Sequence, residues 1–348
     1  MHPRDRIARE IESQGGWIPF ARYMQLALHE PGVGYYASGA RKFGAAGDFV
    51  TAPELGDLFG RTLARQLAEI PGKRVLEIGA GSGALAETLI KALDCEYLIL
   101  ETSAELRERQ RKRLGKKAVH LEKLPKKFEG TILANEVADA MPVHVVHWTN
   151  QGIFERGVSE KFEWQDRPTT KDLLQRAKSI NPAAPYISEI NLLLEPWIAS
   201  LADCLARGAI FVIDYGFPRH EYYHPQRAAG TLMCHHRHRA HPDPFAHPGE
   251  EDITAHVDFS AAAAAARAAG AEVLGYATQA QFLVNCGITD VLGEANVENA
   301  LHYAPIAAQA QKLLSPAEMG ELFKVLALGK GIDGPLLGFS SGDKQGSL

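Results

Sequence analysis

No stretch of this 348-residue chain approaches the roughly 18 consecutive apolar residues that a bilayer-spanning helix needs, so membrane insertion is not expected. Cysteine is scarce. Cys95, Cys204, Cys234 and Cys286 lie far apart and form no C-x-x-C, which argues against a disulfide framework and against a thiolate zinc site. An excess of positive charge is also missing: a net charge of −5 has the wrong sign for a protein whose main task is holding nucleic-acid phosphates. The start, MHPRDRIAREIE, carries acidic residues and no apolar core, so neither a secretory nor a transit peptide is expected and the cytoplasm is the default location.

What is there supports a large core. With 46% hydrophobic and 23% charged residues, the chain can form one elaborated domain or two. Its middle alternates short apolar runs with helical patterns: RVLEI (74–78), ALAETLIKAL, EYLILE (96–101), SAELRERQRKRL with Ser103 as N-cap, GTILAN ending at Asn135, a helix over roughly 191–206, and AIFVIDYG (209–216). That rhythm argues for a parallel sheet covered on both faces. The basic run RERQRKRLGKK (107–117) reads as the solvated face of a helix.

Two segments break the rhythm. Residues 143–164 read as two or three antiparallel strands, with Asn150, Gly152 and Gly157 at turns. Residues 217–258, rich in His and Pro, read as an ordered insertion or lid. Beyond it FSAAAAAARAAG is a helix stopped by Gly270, AEVLGYAT a strand, the region to about 321 mostly helical, and LFKVLALGKG a last apolar strand.

Between the first strand and its helix stands Glu77-Ile-Gly79-Ala-Gly81-Ser-Gly83. Glycines in a strand–loop–helix unit let the backbone approach a ligand, and the helix N-terminus offers free N–H groups. GAGSGA satisfies a loose dinucleotide pattern, and Glu101 follows about twenty residues on, where an acid takes both ribose hydroxyls. That much is compatible with NAD. The acid before the turn shifts the balance: E-x-G-x-G-x-G resembles the first motif of class I methyltransferases, and a carboxylate suits the ammonium of S-adenosylmethionine better than a pyrophosphate.

The flanking segments carry a wider resemblance. EPGVGYYASGARKFGAAGDFVTAPELGDLFGRTLARQL (30–67), ANEVADAMPV (134–143), FVIDYG (211–216), PGEEDITAHVDF (248–259) and MGELFKVLALGKG (319–331) together resemble the MidA-type family of S-adenosylmethionine-dependent methyltransferases, over nearly the whole chain. The resemblance implies methyl transfer from S-adenosylmethionine. The mitochondrial relatives are linked to complex I assembly and methylate an arginine of a complex I core subunit to symmetric dimethylarginine, so a protein arginine is the implied substrate. The relatives usually have Thr-Ser-Pro-Glu where this chain has Thr51-Ala52-Pro53-Glu54, so Ala52 departs from the pattern and removes a hydroxyl.

Candidate site residues follow. An arginine substrate is a permanent cation that binds best to carboxylates in a bidentate fork. Glu136 and Asp139 are the expected clamp, with Asn135 nearer the donor; the alternative is that the two acids cap a following helix. Glu77, Gly79, Gly81, Gly83 and Glu101 are expected to hold the cofactor, with Asp48, Phe49, Thr51 and Pro53 closing over it; for Thr51, Pro53 and Glu54 a plain helix start is the alternative. Tyr35 and Tyr36 offer aromatic surface to adenine or to a cation. Asp214 and Tyr215, at a strand end, and Asp252 and His256, after the insertion, are expected near the substrate, whereas Asp258 caps the alanine-rich helix. CHHRHRAH (234–241) has enough imidazole for a metal, but Arg237 and Arg239 oppose a cation; no metal is expected, and the run reads as a basic surface facing the site's mouth or an acidic partner.

The expected architecture is α/β: an N-terminal helical and cofactor-lid segment (1–70), a class I methyltransferase, Rossmann-like core (71–331) with insertions at about 143–190, 217–258 and 279–321 forming a β-hairpin and a helical lid, and a tail (332–348). ANEVADAMPV lacks the D/N-P-P-Y/F/W signature of enzymes that methylate DNA amino groups, so no nucleic-acid partner is expected. A protein substrate is, and apolar lid helices leave a homodimer open. Other readings are a methyltransferase of another substrate class, or an assembly factor that keeps the fold without turnover.

Overall fold

The computed structural model describes residues 2–37, 51–296 and 298–348. The centre is a mixed sheet of seven principal strands: β1 (Arg74–Ile78), β2 (Glu96–Leu100), β3 (Val119–Leu121), β4 (Phe128–Asn135), β5 (Leu205–Phe217), β6 (Glu272–Thr278) and β7 (Phe323–Lys330), in the order β6-β7-β5-β4-β1-β2-β3. Neighbours from β5 to β3 run parallel, and β7 lies antiparallel between β5 and β6. Val257–Asp258 adds a short parallel pairing to the end of β5.

Alternation along the strands builds two cores. Val75, Ile99, Leu133, Phe211, Ile213 and Val325 face one side, under helices Leu58–Leu67, Ala84–Ala92 and Gln279–Asn285. Leu76, Leu98, Ile132, Ile210, Val212 and Leu326 face the other, under Leu194–Cys204 and Phe259–Ala268. This is why β5 reads as an unbroken apolar run: both faces are covered, and Ala209 through Ile213 have no exposed surface. The expected caps are present, Ser103 accepting from the amide of Leu106 and Asp258 from that of Ala261.

A second, antiparallel sheet of five strands joins Trp17–Pro19, His144–Thr149, Gly152–Ser159, Trp164–Pro168 and Tyr186–Ile190. It is larger than the two or three strands expected, and it recruits a strand from the N-terminal segment. Gly157 is not at a turn, as the sequence suggested, but inside a strand, paired with Pro19 and Gln165. A Cβ there would lie 2.2 Å from the Ile18 carbonyl oxygen and 2.5 Å from the Trp17 ring, so close approach of a neighbouring strand is the reason for glycine. The 217–258 insertion is ordered by a three-stranded sheet, Met233–His236, Arg239–His241 and Asp252–Thr254. Helices Pro3–Ser13 and Phe20–His29 pack onto these additions through a core containing Ile11, Tyr23, Leu28, Val143, Cys234 and Ile253. No helix among the described residues is long and apolar enough to cross a membrane.

Candidate active site

The carboxyl ends of β1, β2, β4 and β5 open on one cavity of about 1070 Å³, part of it open to solvent. Its position is the crevice where open α/β sheets bind ligands. On one side lies the glycine turn. Gly79, Gly81 and Gly83 all have left-handed φ, at 66°, 53° and 81°, a region costly for any residue with a Cβ. Gly79 and Gly81 line the cavity with Ala80 and Ser82. Gly83, expected in the cofactor cradle, is not on the wall: it stands at the N-cap of Ala84–Ala92 and faces Gln110, Arg113 and Leu114.

Two buried acids flank the turn. Glu77 accepts a 2.8 Å hydrogen bond from the Tyr97 hydroxyl, and burial pushes its carboxyl up to about 7. Glu101 accepts from the amide of Ser103 at 2.9 Å and from Gln110 Nε2 at 3.1 Å, while the same Nε2 donates to the Gly81 carbonyl at 2.8 Å; burial raises this carboxyl as well. A cradle with two carboxylates, apolar walls from Leu85 and Leu106 and, among the described residues, no lysine or arginine suits an ammonium and ribose hydroxyls and repels a pyrophosphate. The residues present therefore fit S-adenosylmethionine.

The opposite wall is acidic. After Asn135 ends β4, Glu136 adopts a left-handed φ of 54° and its amide donates to the Ile213 carbonyl at 2.9 Å. Its Oε1 accepts from Asn135 Nδ2 at 3.2 Å and from the Ala52 amide at 3.4 Å. No helix follows; the chain turns into the strand His144–Thr149, so neither Glu136 nor Asp139 is a helix cap. Asp139 Oδ1 and Asn135 Oδ1 are buried with no hydrogen-bond partner among the described residues. Asp252, from the three-stranded sheet, accepts from the Tyr36 hydroxyl at 2.7 Å. Burial, and then the charge of Asp214, push Glu136 up to about 8; the same causes, with Asp252 and Glu136 added, raise Asp139 well above its ordinary range.

Four expectations land elsewhere. Tyr35 turns into the core beneath the N-terminal helices, whereas Tyr36 lines the cavity, because consecutive side chains in the turn diverge. Asp214 lies behind the acid loop, its Oδ2 within 3.3 Å of the amides of Val137, Ala138 and Asp139. His256 packs beside the rings of Tyr215 and Phe217, off the cavity wall, and burial lowers its imidazole to about 4. Gly83 is the fourth, as described. Tyr215, Thr51 and Pro53 are on the cavity wall; Asp48 and Phe49 lie outside the described residues.

Other wall residues were given no place in the site from the sequence. Glu54, in the single turn Ala52–Glu54, hydrogen-bonds Ser82 of the glycine turn. Ser103 is both the expected cap and a donor to the Tyr36 carbonyl at 2.8 Å. His235, inside the histidine-rich run, faces the cavity, whereas Arg237 and His238 form the left-handed tip of that hairpin. Each stands within or beside a quoted motif, but only the folded geometry tells it from its neighbours.

Comparison with known proteins agrees with this chemistry. The Methyltransf_28 model, which describes S-adenosyl-L-methionine-dependent methyltransferases, matches residues 58–277. A Burkholderia thailandensis protein crystallised with S-adenosyl-homocysteine is 48% identical and superposes with a TM-score of 0.95 over 99% of this chain and 97% of that one. The Drosophila melanogaster protein named protein arginine methyltransferase NDUFAF7 homolog, mitochondrial, is 27% identical, the match covering 93% of this chain and 86% of that protein; the Homo sapiens NDUFAF7 is 28% identical, covering 92% and 81%. The acid-flanked glycine turn, the seven-stranded sheet and these matches have one explanation: the chain belongs to the Methyltransf_28 family, and it is a methyltransferase that uses S-adenosyl-L-methionine.

Proposed function

We propose that this methyltransferase modifies arginine side chains of a protein. One observation carries the reading: the cavity wall presents Glu54, Glu77, Glu101, Glu136, Asp139 and Asp252, and among the described residues no lysine or arginine lines it. Burying carboxylates is costly, and a guanidinium bound between Glu136 and Asp139 relieves that cost with paired N–H···O bonds. Two relatives named protein arginine methyltransferases support the same choice.

When bound, S-adenosylmethionine supplies a methyl group already activated on a sulfonium, so this chain's residues have to orient the nucleophile and exclude water. Glu136 and Asp139 hold the guanidinium; Tyr36 and Tyr215 wall it from solvent. The nitrogen that gains the methyl loses one proton, and Glu136, which gives up its own proton to solvent when the guanidinium binds beside it, is the carboxylate that accepts it. We place this activity in the cytoplasm, on a protein partner, with a subunit of a respiratory complex as the first substrate to try.

The test is incubation of the purified chain with methyl-labelled S-adenosylmethionine and protein extract, followed by acid hydrolysis and amino-acid analysis. Label in methylarginine is the expected result. Label in lysine, in glutamine or in the small-molecule fraction would move the substrate to another class, and no label in any fraction would favour a partner-binding role without turnover.

A further inference from the structure

The acid loop has an unusual backbone and unusual anchors. Glu136 sits in the left-handed region, which a residue of its size enters only where surroundings hold it. Both holds come from consecutive residues of β5. The Ile213 carbonyl takes the Glu136 amide, and Asp214 Oδ2 takes the next three amides, Val137 at 3.2 Å, Ala138 at 2.9 Å and Asp139 at 3.3 Å. The other oxygen, Oδ1, accepts from the amide of Tyr215 at 2.9 Å. Successive amides converging on one carboxylate form an anion-binding nest inside the protein, occupied by its own side chain.

On the proposed reading that Glu136 and Asp139 clamp a guanidinium, we infer that Asp214 is a positioning residue for substrate: its carboxylate pins residues 137–139 to β5 and thereby sets the separation and aim of the two clamp carboxylates. Among the described residues Asp214 does not line the cavity, and its hydrogen bonds go to the acid loop and Tyr215, with none to the glycine turn or Glu101. Its effect therefore belongs to the substrate half of the site. The titratable groups that feel its charge are Glu136 and Asp139 from the loop it holds and Tyr215 beside it, and Asp252 from the three-stranded sheet acts on those same three groups. Its cross-strand neighbour on β7, Lys324, directs its ammonium to the carbonyls of Glu321 and Leu322.

Asp214→Asn tests this, because an amide cannot accept on both sides and carries no charge. The guanidinium probe is acetyl-arginine amide, titrated calorimetrically into protein saturated with S-adenosylhomocysteine, over a pH series; S-adenosylhomocysteine is titrated separately. Misaiming the clamp is expected to weaken the probe on the order of tenfold to a hundredfold, while S-adenosylhomocysteine affinity stays within about threefold. Removing the Asp214 charge also lets Glu136 and Asp139 ionise at lower pH, so the limb over which probe binding falls with acid moves down. Unchanged probe affinity, an unmoved limb, or equal loss of cofactor and probe overturns the assignment. Failure of the wild-type chain to bind the probe would instead count against the arginine reading. Hydrogen exchange on the wild-type chain then decides about Asp214 without probe or variant: amides of 137–139 as slow as the ladder amides of β4 uphold the clamp, and exchange as fast as exposed turns overturns it.

Discussion

Glu136 carries a proton to higher pH than it does in the unfolded chain, and that difference has a sign. Between the ordinary glutamate range and about 8, the unfolded chain has released this proton while the folded chain still holds it, so raising the pH favours unfolding. The contribution is complete below the unfolded value and is lost as pH rises through about 8. Asp139, Asp214 and Glu77 are raised too and act in the same direction. Denaturant unfolding of the unliganded chain should therefore weaken from acid to mildly alkaline pH, by about 1.4 kcal/mol per pH unit for each proton released, and Glu136→Gln should flatten the slope. On the cofactor side, Glu101→Ala should weaken S-adenosylhomocysteine binding by about 1–3 kcal/mol in calorimetry. Tyr36→Phe should leave that affinity alone and weaken the guanidinium probe, because it deletes a donor to Asp252 and keeps the carbonyl that Ser103 uses. At this scale the sequence was informative about which acids gather at strand ends, since Glu101 directly follows an apolar run and Glu136 follows another across the single residue Asn135. It was silent on which of two adjacent residues turns inward, so Tyr35 and Asp214 were read together with Tyr36 and Tyr215.

Among elements, the three glycines of the first turn have separable duties. Gly83→Ala should cost about 1–2 kcal/mol of stability, the usual cost of a left-handed Cβ, yet leave S-adenosylhomocysteine affinity nearly intact, since its Cβ would meet nothing nearer than 3.5 Å and the residue is off the cavity wall. Gly79→Ala should damage binding, because its Cβ enters the wall 3.0 Å from Val137. Thermal melts with and without ligand distinguish the two. Strands β1, β2, β4, β5 and β7 were legible because each is an apolar run bounded by turn residues or charges. Trp17–Pro19 was not: three residues show no periodicity, and their partners lie around residue 158, far along the chain. Gly157 was misread for the same reason, its glycine being demanded by a strand that the local sequence does not reveal.

For the whole molecule, three chain-distant pieces complete one cavity: the turn after the second N-terminal helix, the loop after β4 and the strand Asp252–Thr254. The alternating core could be read from periodicity, whereas this assembly depends on packing between segments that share no local pattern. The piece Ala52–Glu54 touches both halves, through Glu54 to Ser82 and through the Ala52 amide to Glu136. Glu54→Ala should therefore loosen the glycine turn from the N-terminal segment and raise the dissociation rate of S-adenosylhomocysteine, measurable by stopped flow.

That turn also bears on how the family's sequences can drift. The contact this turn makes with the Glu136 carboxylate comes from the main chain of residue 52, whose side chain is wholly enclosed. That contact survives any side chain the enclosure admits, so the hydroxyl missing at position 52 is not what joins this turn to Glu136, and a serine there would have to find a hydrogen-bond partner of its own inside the protein.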